Sequence, residues 1–263
     1  MPSESVTLLP LPLACAVFIL RPTFFPLMTL LFCRRIGLPL GAMLLIFLSA
    51  VTHAQSIGPD IAERTIACTA CHGKEGRATS EGFFPRIAGK PAGYLYNQLR
   101  HFRDGRRQNP AMAHMVTNLS DAYLKEIADH FAALNPPYPP PQTSKLTPAT
   151  LERGRQLVFY GDATRDIPAC VRCHGDTLTG VLPAIPSLLG LPHDYLNAQF
   201  GSWKIGLRHA AAPDCMAQIS QALSTDEIAA ISSWLAAQPM PRNKRAAPAL
   251  LRPLPIACGS MPP

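Results

Sequence analysis

Charge, aromatic residues and cysteine are all scarce in this chain. Charged side chains make up 16% and aromatic ones 7% of its 263 residues, and no basic run is interleaved with aromatics. Nucleic acid is therefore not implied as a partner. The 24 lysines and arginines outnumber the 17 aspartates and glutamates, a net charge of +7 that suits docking to an acidic partner. Nothing alternates polar with apolar long enough to make a sheet. The cysteines, at 15, 33, 68, 71, 170, 173, 215 and 258, are too sparse for a small disulfide-knotted scaffold.

The amino end points to export. Arg34 and Arg35 precede the apolar run IGLPLGAMLLIFLSAV and then THA, which places small residues Thr52 and Ala54 where a signal peptidase needs them. We expect a leader over residues 1–54, cleaved after Ala54, with translation starting at Met28 because Pro10, Pro12, Pro22 and Pro26 break the earlier apolar stretch. The run is shorter than the about 20 residues of a membrane span. An uncleaved anchor, giving membrane association through the leader, is the alternative. Removing Arg21, Arg34, Arg35 and Glu4 with the leader leaves a net charge of +5.

The remainder is a duplication. CTACH at residues 68–72 returns as CVRCH at 170–174, FPRIAG at 84–89 as IPSLLG at 185–190, and KPAGYLYNQLRHFRDGRR as LPHDYLNAQFGSWKIGLR. This alignment pairs Tyr94 with Tyr195, Gln98 with Gln199, Phe102 with Trp203 and Arg107 with Arg208. A conserved order at conserved spacing signals repeated structural units. NPPYPPPQTS between the copies reads as an extended, semi-rigid linker. The division is a domain at 55–135, a linker at 136–146, a second domain at 147–239 and a Pro-rich tail at 240–263. Both domains read as helical, so the fold class is all-α. Ser224 with Glu227 is a capping box, followed by Ile228, Ile231, Trp234 and Leu235 at helical spacing. Ser120 caps the matching helix of the first copy, and Thr147-Pro148 opens the first helix of the second. Domains this size have few large apolar residues to spare, so something besides side chains must fill each centre.

C-x-x-C-H is the attachment signature of a c-type haem. Two cysteines one helical turn apart meet the vinyl groups as thioethers, and the next imidazole lies under the iron. Cys68, Cys71, Cys170 and Cys173 are thus expected to hold two covalent haems, with His72 and His174 as axial ligands. Zinc is the rival, but structural zinc pairs sit about 12–20 residues apart, whereas these are separated by a whole domain. A redox dithiol would need βαβ context, which is absent. For the sixth position each copy offers a methionine at one place before its last helix, Met112 ahead of Leu119 and Met216 ahead of Leu223. Met115 competes, yet only Met112 has a counterpart. His101, His114, His130, His193 and His209 have no ligand spacing and read as surface or capping residues. Arg100, Arg103, Arg106 and Arg107 read as a solvated helix face.

PACVRCHG, FPRIAG, YLYNQL and the approach from methionine to LSD together resemble the dihaem cytochrome c4 family, over nearly all of residues 58–238. The resemblance implies two tandem cytochrome c domains, each wrapped around one covalent haem and related by an approximate two-fold. It also implies that Pro85 and Pro186 offer carbonyls to the outer nitrogens of His72 and His174. Its function would be single-electron transfer in the periplasm, from a quinol-oxidising complex or periplasmic dehydrogenase to a terminal oxidase. The chain departs from the family at Cys215 beside Met216, in its long tail and at Cys258. Exported thiols pair, so a Cys215–Cys258 disulfide pinning the tail is the preferred reading. The alternatives are that Cys215 ligates iron, as in a thiosulfate dehydrogenase or another dihaem oxidoreductase, or that the chain is the cytochrome subunit of a dehydrogenase complex.

Overall fold

A computed structural model describes residues 60–79 and 83–261. The expected leader, with Met28, Cys15 and Cys33, lies outside the described residues. In the first copy, α1 (Ile61–Arg64) and α2 (Ile66–His72) precede α3 (Ala92–Arg103), α4 (Pro110–Val116) and α5 (Asp121–Ala133). In the second, α6 (Pro148–Tyr160) and α7 (Val171–His174) precede α8 (His193–Lys204), α9 (Cys215–Ala222) and α10 (Thr225–Ala236). Among the described residues no helix is long and apolar enough to cross a membrane.

The helix starts follow from local chemistry. The Ser224 hydroxyl accepts from Glu227 N at 3.2 Å while the Glu227 carboxylate accepts from Ser224 N at 3.0 Å, closing the expected box. Ser120 caps α5 and Thr147 caps α6, with Pro148 at the first turn, where its missing N–H is not needed. The apolar stripes then decide the packing. In the first copy α3 lies on α5, joining Leu95 to Ile127, Ala128 and Phe131. In the second, α10 crosses α6 and α8 and buries Ile228, Ile231 and Leu235 against Leu157, Leu196 and Phe200. Gly154 makes the α6–α10 crossing close, since a Cβ there would run into the Ala230 carbonyl.

The all-α reading holds with one small addition. Strands β1 (Gly180–Val181) and β2 (Ile185–Pro186) pair antiparallel, and Val181 also bridges Ala247 of the tail. Such a short hairpin has no alternating pattern to announce it. Its register comes from the close approach at Gly180, at φ 91°, where a Cβ would press on the Ile185 carbonyl.

The Pro-rich segment after α5 is docked rather than merely extended. Arg86 donates to Pro136 O at 2.6 Å and Pro137 O at 2.9 Å, and its guanidinium stacks 3.7 Å from the Tyr138 ring. Gln142 N then bonds Ala236 O of the second copy at 2.9 Å. The described residues of both copies accordingly form one compact unit. The tail folds back as well: Ala247 N reaches Gly180 O at 2.9 Å and Gly259 N reaches Pro213 O at 2.9 Å.

Candidate haem sites and the seam between them

Each C-x-x-C-H closes a helical turn and is ended by glycine. Gly73 and Gly175 follow the two histidines at φ 74° and 83°, a backbone region that side-chain-bearing residues avoid. A turn of helix sets Cys68 beside Cys71 and Cys170 beside Cys173 on one face. The chain after the turn then folds over the imidazole. His72 Nδ1 donates to Pro85 O at 2.8 Å and His174 Nδ1 to Pro186 O at 2.8 Å, with both rings buried. Burial lowers the basicity of both imidazoles, so each is held neutral. A neutral ring that donates through Nδ1 presents an Nε2 lone pair, the form a metal binds.

The thiols stand as sulfur nucleophiles would not. Burial pushes Cys68 and Cys173 up, and Cys170 up to about 12, whereas a redox dithiol works through a lowered thiolate. Among the described residues no three His, Cys, Asp or Glu side chains gather as a metal site.

An apolar cavity brings Cys170, Cys173, His174 and Met216 of the second copy together, and Lys90, Tyr94 and Gln98 of the first copy line it as well. Trp203 lines the same cavity, and its indole N–H has no acceptor among the described residues. That orphan donor fits a porphyrin, whose side groups include carboxylates. Asp214 caps α9 and so fixes the turn that carries Met216, accepting from Ala217 N at 3.0 Å. Cys215, the residue before it, is bonded to Cys258 at an S–S distance of 2.05 Å, and Ile256 and Met261 of the tail line the cavity beside Met216. In the first copy Met112 packs partly buried against Phe102, Val116 and Leu124, with Asn109 capping its helix, whereas Met115 is 44% exposed.

The seam between the copies corrects two readings. Arg107 is no solvated helix face: it donates to Gln98 Oε1 at 2.9 Å, Gln199 Oε1 at 2.6 Å and Tyr195 OH at 3.2 Å. Arg208 makes the reciprocal set, to Gln199 Oε1 at 2.7 Å, Gln98 Oε1 at 3.0 Å and Tyr94 OH at 3.5 Å. Their backbones pair too, Gln108 N with Leu207 O at 2.8 Å and His209 N with Arg106 O at 2.7 Å. Exchanging the copies maps this network onto itself. His101, expected at the surface, is buried beside it with 8% exposure. The signal was present in the repeat alignment, where Tyr, Gln and Arg recur at matching places in both copies. Arg100 and Arg103 do face Asp104, as helix-surface ion pairs.

The comparisons agree with this geometry. Residues 56–131 match the family model described as cytochrome c oxidase, cbb3-type, subunit III. A thiosulfate dehydrogenase electron acceptor of Thiomonas intermedia (strain K12) is 37% identical over 183 residues, which cover 68% of this chain and 82% of that protein. A cytochrome c4 of Pseudomonas aeruginosa is 30% identical over 195 residues, 73% of this chain and 94% of that one. Among solved structures, the thiosulfate dehydrogenase TsdBA from Marichromatium purpuratum aligns with a TM-score of 0.61 at 32% identity, covering 68% of this chain but only 39% of that longer chain. With its paired C-x-x-C-H turns, its duplicated helical halves and these likenesses, the chain belongs to the cytochrome c4 family of dihaem electron-transfer cytochromes, which carry covalently bound haem c.

Proposed function

We propose that this protein is an exported, periplasmic electron carrier that accepts single electrons from a thiosulfate dehydrogenase or a similar periplasmic dehydrogenase and passes them toward a terminal oxidase. In this reading the leader spans 1–54, the domains 55–135 and 147–239, the linker 136–146 and the tail 240–263. Cys68 and Cys71 hold one haem and Cys170 and Cys173 the other. His72 with Met112 and His174 with Met216 are the axial pairs. Bound haem supplies a one-electron ferrous–ferric couple.

The residues do the rest. Pro85 O and Pro186 O accept hydrogen bonds from the two Nδ1–H groups, so each imidazole keeps one orientation and one tautomer. The matched 2.8 Å bonds in both copies are the observation that carries the reading, because a carrier needs two closed and similarly ordered sites. The Cys215 sulfur is engaged with Cys258, which favours methionine over thiolate ligation and a carrier over an enzyme. The likeness to the Thiomonas intermedia protein supports the choice of donor.

Two measurements test this. Ferric magnetic circular dichroism should show the far-red methionine-to-iron band for both haems; Met216→Ala should remove half of it and Cys215→Ser none. The reverse pattern makes Cys215 the ligand and moves the protein to the enzyme class. Oxidised protein mixed anaerobically with thiosulfate should stay oxidised until a thiosulfate dehydrogenase is added; reduction by thiosulfate alone rejects the carrier role.

A further inference from the structure

Lys90 is a buried amine with no carboxylate partner among the described residues. It is 3% exposed, and among those residues its nitrogen donates to one acceptor, Ser187 O, at 3.2 Å. It belongs to the first copy and Ser187 to the second. The carbonyl one residue earlier, Pro186 O, is the one that accepts the hydrogen bond from His174 Nδ1. Ammonium and imidazole are thus tied to successive carbonyls at the end of β2, and Lys90 lines the cavity that holds His174 and Cys173. Among the described residues no carboxylate pairs with it, and the charge acting on it is the like charge of Arg86. Burial, then Arg86, brings Lys90 down to about 7. By contrast Arg86, equally buried, is satisfied by the carbonyls of Ala88, Pro136 and Pro137.

An unpaired buried charge is a poor way to stabilise a fold, and a hydrophobic side chain of similar volume serves better. The duplication supplies that comparison, since Leu191 occupies the matching place in the second copy. The second copy therefore returns no cation to the first from this matching place. A positive charge near an iron favours the state with one more electron.

We propose that Lys90 is an electrostatic positioning residue by which the first domain raises the reduction potential of the haem in the second, so that a single electron entering the protein settles there. The inference rests on the haem-carrying reading above. It is tested by potentiometric titration of the holoprotein at pH 6, below the value to which burial and Arg86 bring Lys90. Met216→His identifies the second-haem wave as the one it displaces. Lys90→Gln and Lys90→Met should then lower that wave alone, shifting the electron's partition on the order of tenfold toward the first haem, a fall of about 59 mV. Lys90→Arg should restore it. Unmoved waves, equal shifts of both, or neutral variants that fail to load the second haem each overturn the proposal. Loss of the methionine-to-iron band from the unaltered protein would instead sink the axial assignment on which it stands.

Discussion

His101 shows what a single residue contributes when its surroundings are decided elsewhere in the chain. Burial, then the positive charges of Arg106, Arg208, Arg107 and Arg100, lower its pKa to about 4. In the unfolded chain the same imidazole titrates near 6.5. Between those values the unfolded state binds a proton that the folded state refuses, so the contribution is fully present above about 6.5 and fades as pH falls toward 4. We expect denaturant unfolding free energies to drop by up to about 3 kcal/mol across that window, and His101→Phe to flatten the slope. An unchanged slope in the variant would place the pH sensitivity elsewhere. At this scale the two C-x-x-C-H turns were legible because the motif is a fixed local spacing. His101 was not, because its neighbours Arg106 and Arg107 are close in sequence but Arg208 comes from the other copy.

At the scale of elements, the caps and stripes did most of the work. Ser120, Thr147 and Ser224 start helices because their hydroxyls satisfy amides within the same turn, an interaction contained in four consecutive residues. The crossing of α6 and α10 is a different matter. Nothing around Gly154 in the sequence marks it as a contact point, yet the Ala230 carbonyl occupies the place a side chain would need. Gly154→Val should therefore destabilise the second domain by about 3 kcal/mol or abolish its folding, while leaving the first domain's methionine-to-iron band in place. Thermal unfolding followed separately at the two haems would check it; a variant as stable as the parent means the helices slide apart without loss. The β1–β2 hairpin and the tail bridge at Ala247 belong to the same class of feature, since they pair segments with no periodic pattern.

For the whole molecule, the seam is the decisive structure. Arg107 and Arg208 each bond a glutamine from both copies, so the halves are joined by charge-assisted bonds that are partly or fully sheltered from water. A double-mutant cycle on Arg107→Met and Gln199→Leu should give a coupling of roughly 1.5–3 kcal/mol, the range for hydrogen bonds to charged groups. A coupling near zero would show that the halves are held by packing and the docked Pro-rich segment alone. Lys90 acts at this scale too: its charge belongs to one domain and its effect to the other.

Sequence by itself determined the capped helices, the duplication and the two C-x-x-C-H turns, because each is written in patterns that local spacing carries. It also paired Tyr94 with Tyr195, Gln98 with Gln199 and Arg107 with Arg208, without saying what the pairs were for. Only the tertiary structure decided that these groups meet one another across a seam, that Lys90 enters the neighbouring site, and that Tyr138 and Ala247 tie linker and tail down. Those contacts join residues about fifty to over a hundred positions apart, where no local period carries information and burial alone selects the partner.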